Sequence, residues 1–433
     1  MKSSKHLDLL LYLWYIIFFV SLVCCFRAVT SISIGLILIT GFFKNKIDTG
    51  SWLNKNLKSN FPSACFLFYV LQVVSLLYQP QQHEALKNLQ LKSAIPLVPI
   101  ALCCSSFLNN QVRQKIMGCY IWILAGALFY CLLMAADKYY FMKAPDTVFF
   151  YHHLVAPLKQ HAVQVSILVF TGLLFLLEKA KNGTYLHYRS VHILLTLFLT
   201  CCILLLSSKL VIIFTAGCFV YYAIHTITAK QNSRLIIFIS LFVGLAGIAI
   251  VLSTQNKVSS RFREIVYGDT KLIQQQNFNP GIYFNGLQFR ELEVRFVKEI
   301  LTEQHAWLTG VSDDAQPLLD KKYTDTHMYI GDGISTDRGF LGYNTHNQFL
   351  ESVLRSGIPG LLVFILVCFT LILMAFRRKS NELSFIVLIL IAYCFNESVF
   401  ESQYGIILFT FLPLFLYYGT GKGPDMLNTV VSN

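Results

Sequence analysis

Apolar runs follow one another along the chain, separated by short polar segments. They fall at about 9–26, 29–43, 63–78, 94–108, 116–136, 162–177, 191–208, 210–227, 235–253, 358–376, 383–397 and 405–419. Many approach the roughly 20 residues that a helix needs to cross a bilayer. The pattern predicts an all-α integral membrane protein with about twelve transmembrane helices. The first run follows a polar leader, residues 1–8. It is long for the apolar part of a signal peptide and lacks a small-x-small cleavage site, so it reads as a retained first helix.

The alternation breaks once. From Ser253 to Thr345 the chain is mostly polar, which divides it into a membrane region at 1–253, a loop at 254–345 and a second membrane region at 346–433. A connection of that length is usually functional or disordered. This one carries helical periodicity: Leu292, Phe296 and Ile300 share a face, Arg290, Glu291 and Lys298 point elsewhere, and Gly310 is the expected stop. The following Gly-, Asp- and Thr-rich stretch predicts irregular structure.

Composition agrees with the membrane assignment. Hydrophobic residues make up 55% of the chain and charged residues only 13%, against about 25% charged in soluble proteins. The net charge of +12 raises nucleic-acid binding as a possibility, but the excess is spread over short loops. If the N-terminus is inside, Lys44, Lys46, Arg113, Lys115, Lys179, Lys181, Arg377 and Arg378 all lie in cytoplasmic segments. The short outside segments hold less than half as many lysines and arginines, among them Arg27, Lys87 and Lys159. That asymmetry predicts cytoplasmic termini and an outside location for the long loop, and it accounts for the charge without nucleic acid. The 12 cysteines sit in or beside apolar runs and read as packing residues. The chain has no phosphate-binding loop, no dinucleotide fingerprint and no nucleophile elbow.

Candidate chemistry gathers on the outside face. In "NTHNQFLESVLRSGIPGLLVF", a helix over 346–355 would carry His346 near the membrane surface, with Glu351 and Arg355 paired four residues apart. Ser356-Gly357 then breaks the helix, and Pro359 suits the first turn of the next. A histidine there is either a hydrogen-bonded interfacial residue or a base able to accept a proton from a hydroxyl near neutral pH. Lys209, between two apolar runs, either snorkels or binds an anionic headgroup such as a pyrophosphate. Arg290 and Arg295 either form a solvated helix face or contact phosphate. Asn396, Glu397, Glu401 and Gln403 close the penultimate run as a functional cluster or as a snorkelled helix end. His152, His153 and His161 lack the acidic or thiolate partners of a metal site, and Asp313-Asp314 and Asp332-Gly333 lack the ladder of ligands that calcium requires. No metal or other cofactor is expected.

These stretches resemble the O-antigen ligase and polymerase superfamily. The matching residues are His346-Asn347-Gln348-Phe349-Leu350, Gly357-Ile358-Pro359-Gly360, the loop helix "FRELEVRFVKEILTEQHAWLTGVSDD" and "FESQYGIILFTF", which contains Glu401. The resemblance covers most of residues 80–420. It implies a GT-C-like membrane glycosyltransferase in the bacterial inner membrane. Such an enzyme takes a glycan from undecaprenyl diphosphate and joins it to a sugar hydroxyl of lipid A–core at the periplasmic face, without a metal. His346 would be the base, supported by Asn347, Glu351 and Arg355. Arg290 best fits the family's loop arginine, with Arg295 as rival. Lys209 stands where the family has an arginine, so the diphosphate contact loses its planar fork or passes to Arg261 or Arg263. A repeat-unit polymerase shares the donor and the base. A lipid-linked oligosaccharide flippase would be expected to show internal repeats, and none is visible.

Overall fold

The computed structural model describes residues 2–52, 60–75, 82–228, 270–282, 284–331 and 337–419. The expected span at 235–253, Arg261 and Arg263 lie outside the described residues. Among those described, every regular element is helical. Six helices are long and apolar enough to cross a membrane: α1 (Lys2–Val23), α2 (Arg27–Thr49), α6 (Asn110–Tyr140), α8 (Ala162–Lys181), α9 (Arg189–Leu206) and α13 (Gln348–Arg378). Four further apolar helices are shorter: α3 (Asn60–Ser75), α10 (Lys209–Thr228), α14 (Asn381–Cys394) and α15 (Gln403–Gly419). The polar α4 (Gln82–Lys92) leads into α5 (Ala94–Cys103), and the five-residue α7 (Tyr151–Val155) precedes α8. The long apolar helices mark a membrane protein.

α8 lies at the centre of the bundle. Val165, Leu168, Phe170, Leu173 and Phe175 are all buried, as expected of a helix that is apolar on every side. α1 packs along α2, α9 along α8, α3 along α13 and α5 along α15. At the periphery, Trp122, Phe129 and Leu133 of α6 and Leu362, Phe369 and Ile372 of α13 are exposed, a face suited to hydrocarbon.

The polar loop folds around a core of its own. α11 (Gly286–Glu303) and α12 (Ala315–Asp325) enclose Leu292, Phe296, Ile300 and Tyr323 together with Val353 and Leu354 from the start of α13. Each such large apolar side chain contributes about 1.5–3 kcal/mol when fully buried, so the loop is pinned to the membrane bundle. Asn285 starts α11 by accepting from the Leu287 and Gln288 amides while the Gln288 side chain accepts from the Asn285 N–H. This reciprocal pair satisfies donors at the helix start.

Two boundaries differ from the sequence reading. α11 ends at Glu303, several residues before Gly310. α13 begins at Gln348, capped by the Asn347 side chain, so His346 precedes the helix. The expected break at Ser356-Gly357 is present: both residues leave helical geometry, with Gly357 at φ 63° and ψ −164°, so α13 is two helical segments meeting at a kink. The loop segment 307–311 fits into that kink. Val311 N–H donates to the Leu354 carbonyl and Ile358 N–H to the Trp307 carbonyl, both at 2.8 Å. The backbone groups left over by the kink are therefore paired.

Candidate functional site

A cavity of about 870 Å³ opens between the folded loop and the helix ends next to it. His346, Arg290, Lys209, Asn344, Asn396, Glu397 and His161 all line it. Thus residues from the turn before α13, from α11, from the start of α10 and from the turn after α14 meet in one space.

The local chain explains why His346 is held there. Its backbone is left-handed, φ 45°, a conformation that costs a non-glycine residue roughly 1–2 kcal/mol. The surroundings fix it. Asn344 Oδ1 accepts from the His346 amide at 3.0 Å, and Asn347 Oδ1 accepts from the Phe349 and Leu350 amides at 2.9 and 3.2 Å. Thr345 donates to Glu351 at 2.9 Å, and Gln348 Oε1 accepts from the Phe400 amide at 2.6 Å. The last bond stitches α13 to the 396–401 turn, which sets Glu397 against the imidazole.

His346 Nδ1 lies 3.1 Å from Glu397 Oε2, and the ring meets Phe289 and Tyr343 edge-on at 5.7 Å each. An ionised carboxylate only accepts hydrogen bonds, so Nδ1 carries a proton, and in the neutral imidazole Nε2 is then the free acceptor. Burial pushes the Glu397 carboxyl up, but the hydrogen bond and electrostatic influence of His346, together with His161 and Arg290, outweigh it, and the net direction is down. The pair is therefore arranged as an oriented base, with a fixed anion behind the imidazole to stabilise its protonated form.

Arg290 reaches from α11 to the same turn. Nη2 donates to the Asn396 carbonyl at 2.8 Å and Nη1 to the Gly286 carbonyl at 2.5 Å. Nε is buried without a hydrogen-bond partner among the described residues. Burial lowers the pKa of the guanidinium, partly offset by Glu397; it stays charged. Lys209 is the first residue of α10, just after the buried Ser208, whose carbonyl accepts from Ile212 N–H at 2.9 Å. A lysine at a helix N-terminus adds its charge to the positive end of the dipole. No family model matches the chain, and no curated protein matches it.

His152 also lines this cavity, whereas Arg295, Glu351, Arg355 and Glu401 lie outside it. Arg295 faces away and binds Glu299, the Ile273 carbonyl and the Gln275 carbonyl at 2.7, 2.7 and 2.6 Å. Glu351, Arg355 and Glu401 form a buried ionic cluster beside it. Arg355 contacts Glu351 at 2.6 Å, Asp313 at 3.0 Å and Glu401 at 3.0 Å, and Lys92 contacts Glu401 at 3.0 Å. This cluster ties α4, the loop and α13 to the 396–401 turn. Losing one member leaves unpaired buried charge, a cost of about 3–5 kcal/mol.

Glu397 is the residue that sequence reasoning left without a specific role. It was visible as one of several polar groups closing the penultimate run, but its pairing with His346 spans 51 positions and depends on the Gln348–Phe400 bond. A second unpredicted feature stands behind Tyr343. Burial pushes Glu293 well above the usual carboxylate range, against the opposing Tyr323 hydrogen bond and with Glu351 adding to the rise. The Tyr323 hydroxyl donates to Glu293 Oε1 at 2.9 Å and also lies 3.0 Å from the Tyr343 carbonyl, its second acceptor. Tyr323 thereby links Glu293 to the residue whose ring flanks His346.

Proposed function

We propose that the chain is an O-antigen ligase-like glycosyltransferase that moves a glycan from undecaprenyl diphosphate to a sugar hydroxyl of lipid A–core, without a metal. The observation that carries the reading is the Glu397-oriented His346 sharing one cavity with Arg290 and Lys209. A base and two cations are what transfer from a lipid diphosphate requires. His346 Nε2 takes the proton of the acceptor hydroxyl as its oxygen attacks the anomeric carbon. The bond from that carbon to the diphosphate breaks, and Arg290 and Lys209 stabilise the charge gathering on the leaving group. Water is kept from competing by the Phe289, Phe340 and Tyr343 side of the cavity.

The reading includes a GT-C-like bundle of about twelve spans in the bacterial inner membrane, with cytoplasmic termini and the site in the periplasm. The sequence motif around His346 and the basic bias of the loops support it. Lys209 supplies a point charge without a planar fork, and Arg290 supplies the fork.

A lipopolysaccharide gel from a deletion strain tests the reaction class. Loss of all O-antigen with accumulation of lipid-linked polymer is the expected result. Caps of a single repeat would make the chain a repeat-unit polymerase instead, and an unchanged profile would contradict both.

A further inference from the structure

Two smaller cavities follow the large one, each sharing lining residues with the next. The first, about 390 Å³, has His161, Asn344 and Glu397 in common with it. The second, about 370 Å³ and bounded by α2, α4, α5 and α15, has Leu91 and Gln403 in common with the first. The three therefore lie in series, with Glu397 as part of the wall nearest His346.

Their chemistry changes in order. The outermost cavity is walled by Ile34, Leu97, Val98 and Ile407, with Lys87 and Gln90 among its polar residues. The middle one is polar and holds Arg27, Lys159, Gln160 and Gln164. Arg27 and Lys159 are exposed and pair with no carboxylate among the described residues. Of the carboxylates beside them, Glu397 hydrogen-bonds His346 and Glu401 ion-pairs with Lys92 and Arg355. The middle cavity thus presents two exposed cations that form no ion pair among the described residues. Apolar wall, cationic chamber and base follow one another as do the tail, anionic groups and hydroxyl of an amphipathic molecule.

We propose that this series is the binding tract of the acceptor, a lipid-anchored saccharide with phosphate groups near its lipid end. Its tail lies against Ile34, Leu97 and Ile407, its phosphates against Arg27 and Lys159, and its sugar hydroxyl passes Glu397 to reach His346. The assignment rests on the function proposed above, with the diphosphate donor on the Lys209 and Arg290 side of the base. Two lipid substrates then approach one histidine from opposite sides, so neither has to leave before the other enters.

The test is photo-crosslinking in full-length protein reconstituted in nanodiscs, with benzoylphenylalanine at Leu97 and, as control, at the exposed Trp122 of α6. The labelled probes are lipid A–core without O-antigen, undecaprenyl phosphate and phosphatidylglycerol. At Leu97, lipid A–core is expected to crosslink at least about tenfold more than either other lipid, with no preference at Trp122. The Arg27→Ala/Lys159→Ala double variant is expected to cut that crosslink several-fold and to raise KM for acceptor while kcat holds. Equal labelling by phosphatidylglycerol, preference for undecaprenyl phosphate, or an unchanged crosslink in the double variant would each overturn the proposal. Run in a His346→Ala background, the crosslink does not depend on transfer, so a failed tract and a failed catalytic reading give different results.

Discussion

Arg290 and Arg295 are five positions apart on one helix, and spacing alone does not choose between them. Their surroundings do. Arg290 opens onto the cavity beside Glu397, whereas Arg295 is taken up by Glu299 and two carbonyls at the far side of the loop core. Arg290→Ala is therefore expected to lower transfer at least about a hundredfold, the scale of losing a group that stabilises developing charge. Arg295→Ala is expected to cost stability with little loss of kcat. Lys209→Arg is expected to be tolerated and Lys209→Ala to lose at least about tenfold. Transfer rates and melting temperatures of the four variants check this. Glu397 gives a pH prediction. Its folded pKa is depressed, so it stabilises the fold above the ordinary carboxylate value of about 4.3, and that contribution is lost as pH falls through the lower folded value. Glu397→Gln should thus melt below wild type at pH 7, with the gap closing in acid. Its kcat should fall by at least about tenfold at all pH values, because glutamine can accept from Nδ1 but cannot stabilise the imidazolium.

At the scale of elements, periodicity carried most of what could be read. The apolar runs and the Leu292, Phe296 and Ile300 stripe are local patterns, and helices stand on both. The start of α13 was missed by two residues because Asn347 caps it, a competing local hydrogen bond that apolar spacing does not register. The kink was legible from Ser356-Gly357-Ile358-Pro359, but its partner was not. A Cβ on Gly357 would lie 2.5 Å from the Leu308 carbonyl, and one on Gly310 would lie 2.3 Å from the carbonyl carbon of Arg355. Two glycines far apart in sequence thus let loop and helix touch. Gly357→Ala, at φ 63°, is expected to lower stability by at least about 1–3 kcal/mol and to loosen the loop. Thermal unfolding in detergent and protease nicking near Trp307 measure the two effects. An unchanged melting temperature with a protected loop would refute the lock.

For the whole molecule, the chain joins two cores, one apolar bundle and one folded loop, through a buried ionic cluster and a kinked helix. The sequence showed that a polar segment interrupts the membrane runs and put the histidine at its edge, and the resemblance gave that histidine the role of a base. Neither revealed that the 396–401 turn supplies the partner carboxylate, since long-range pairing leaves no periodic trace. The central claim is that His346 acts as the base while Arg290 and Lys209 hold the donor. The most direct measurement is single-turnover transfer by purified protein in nanodiscs, wild type against His346→Ala, with donor binding measured in parallel. The account predicts that transfer falls by at least about a hundredfold while the donor binds within a few-fold of wild type. Transfer at the wild-type rate in the alanine variant, with normal folding, would contradict it.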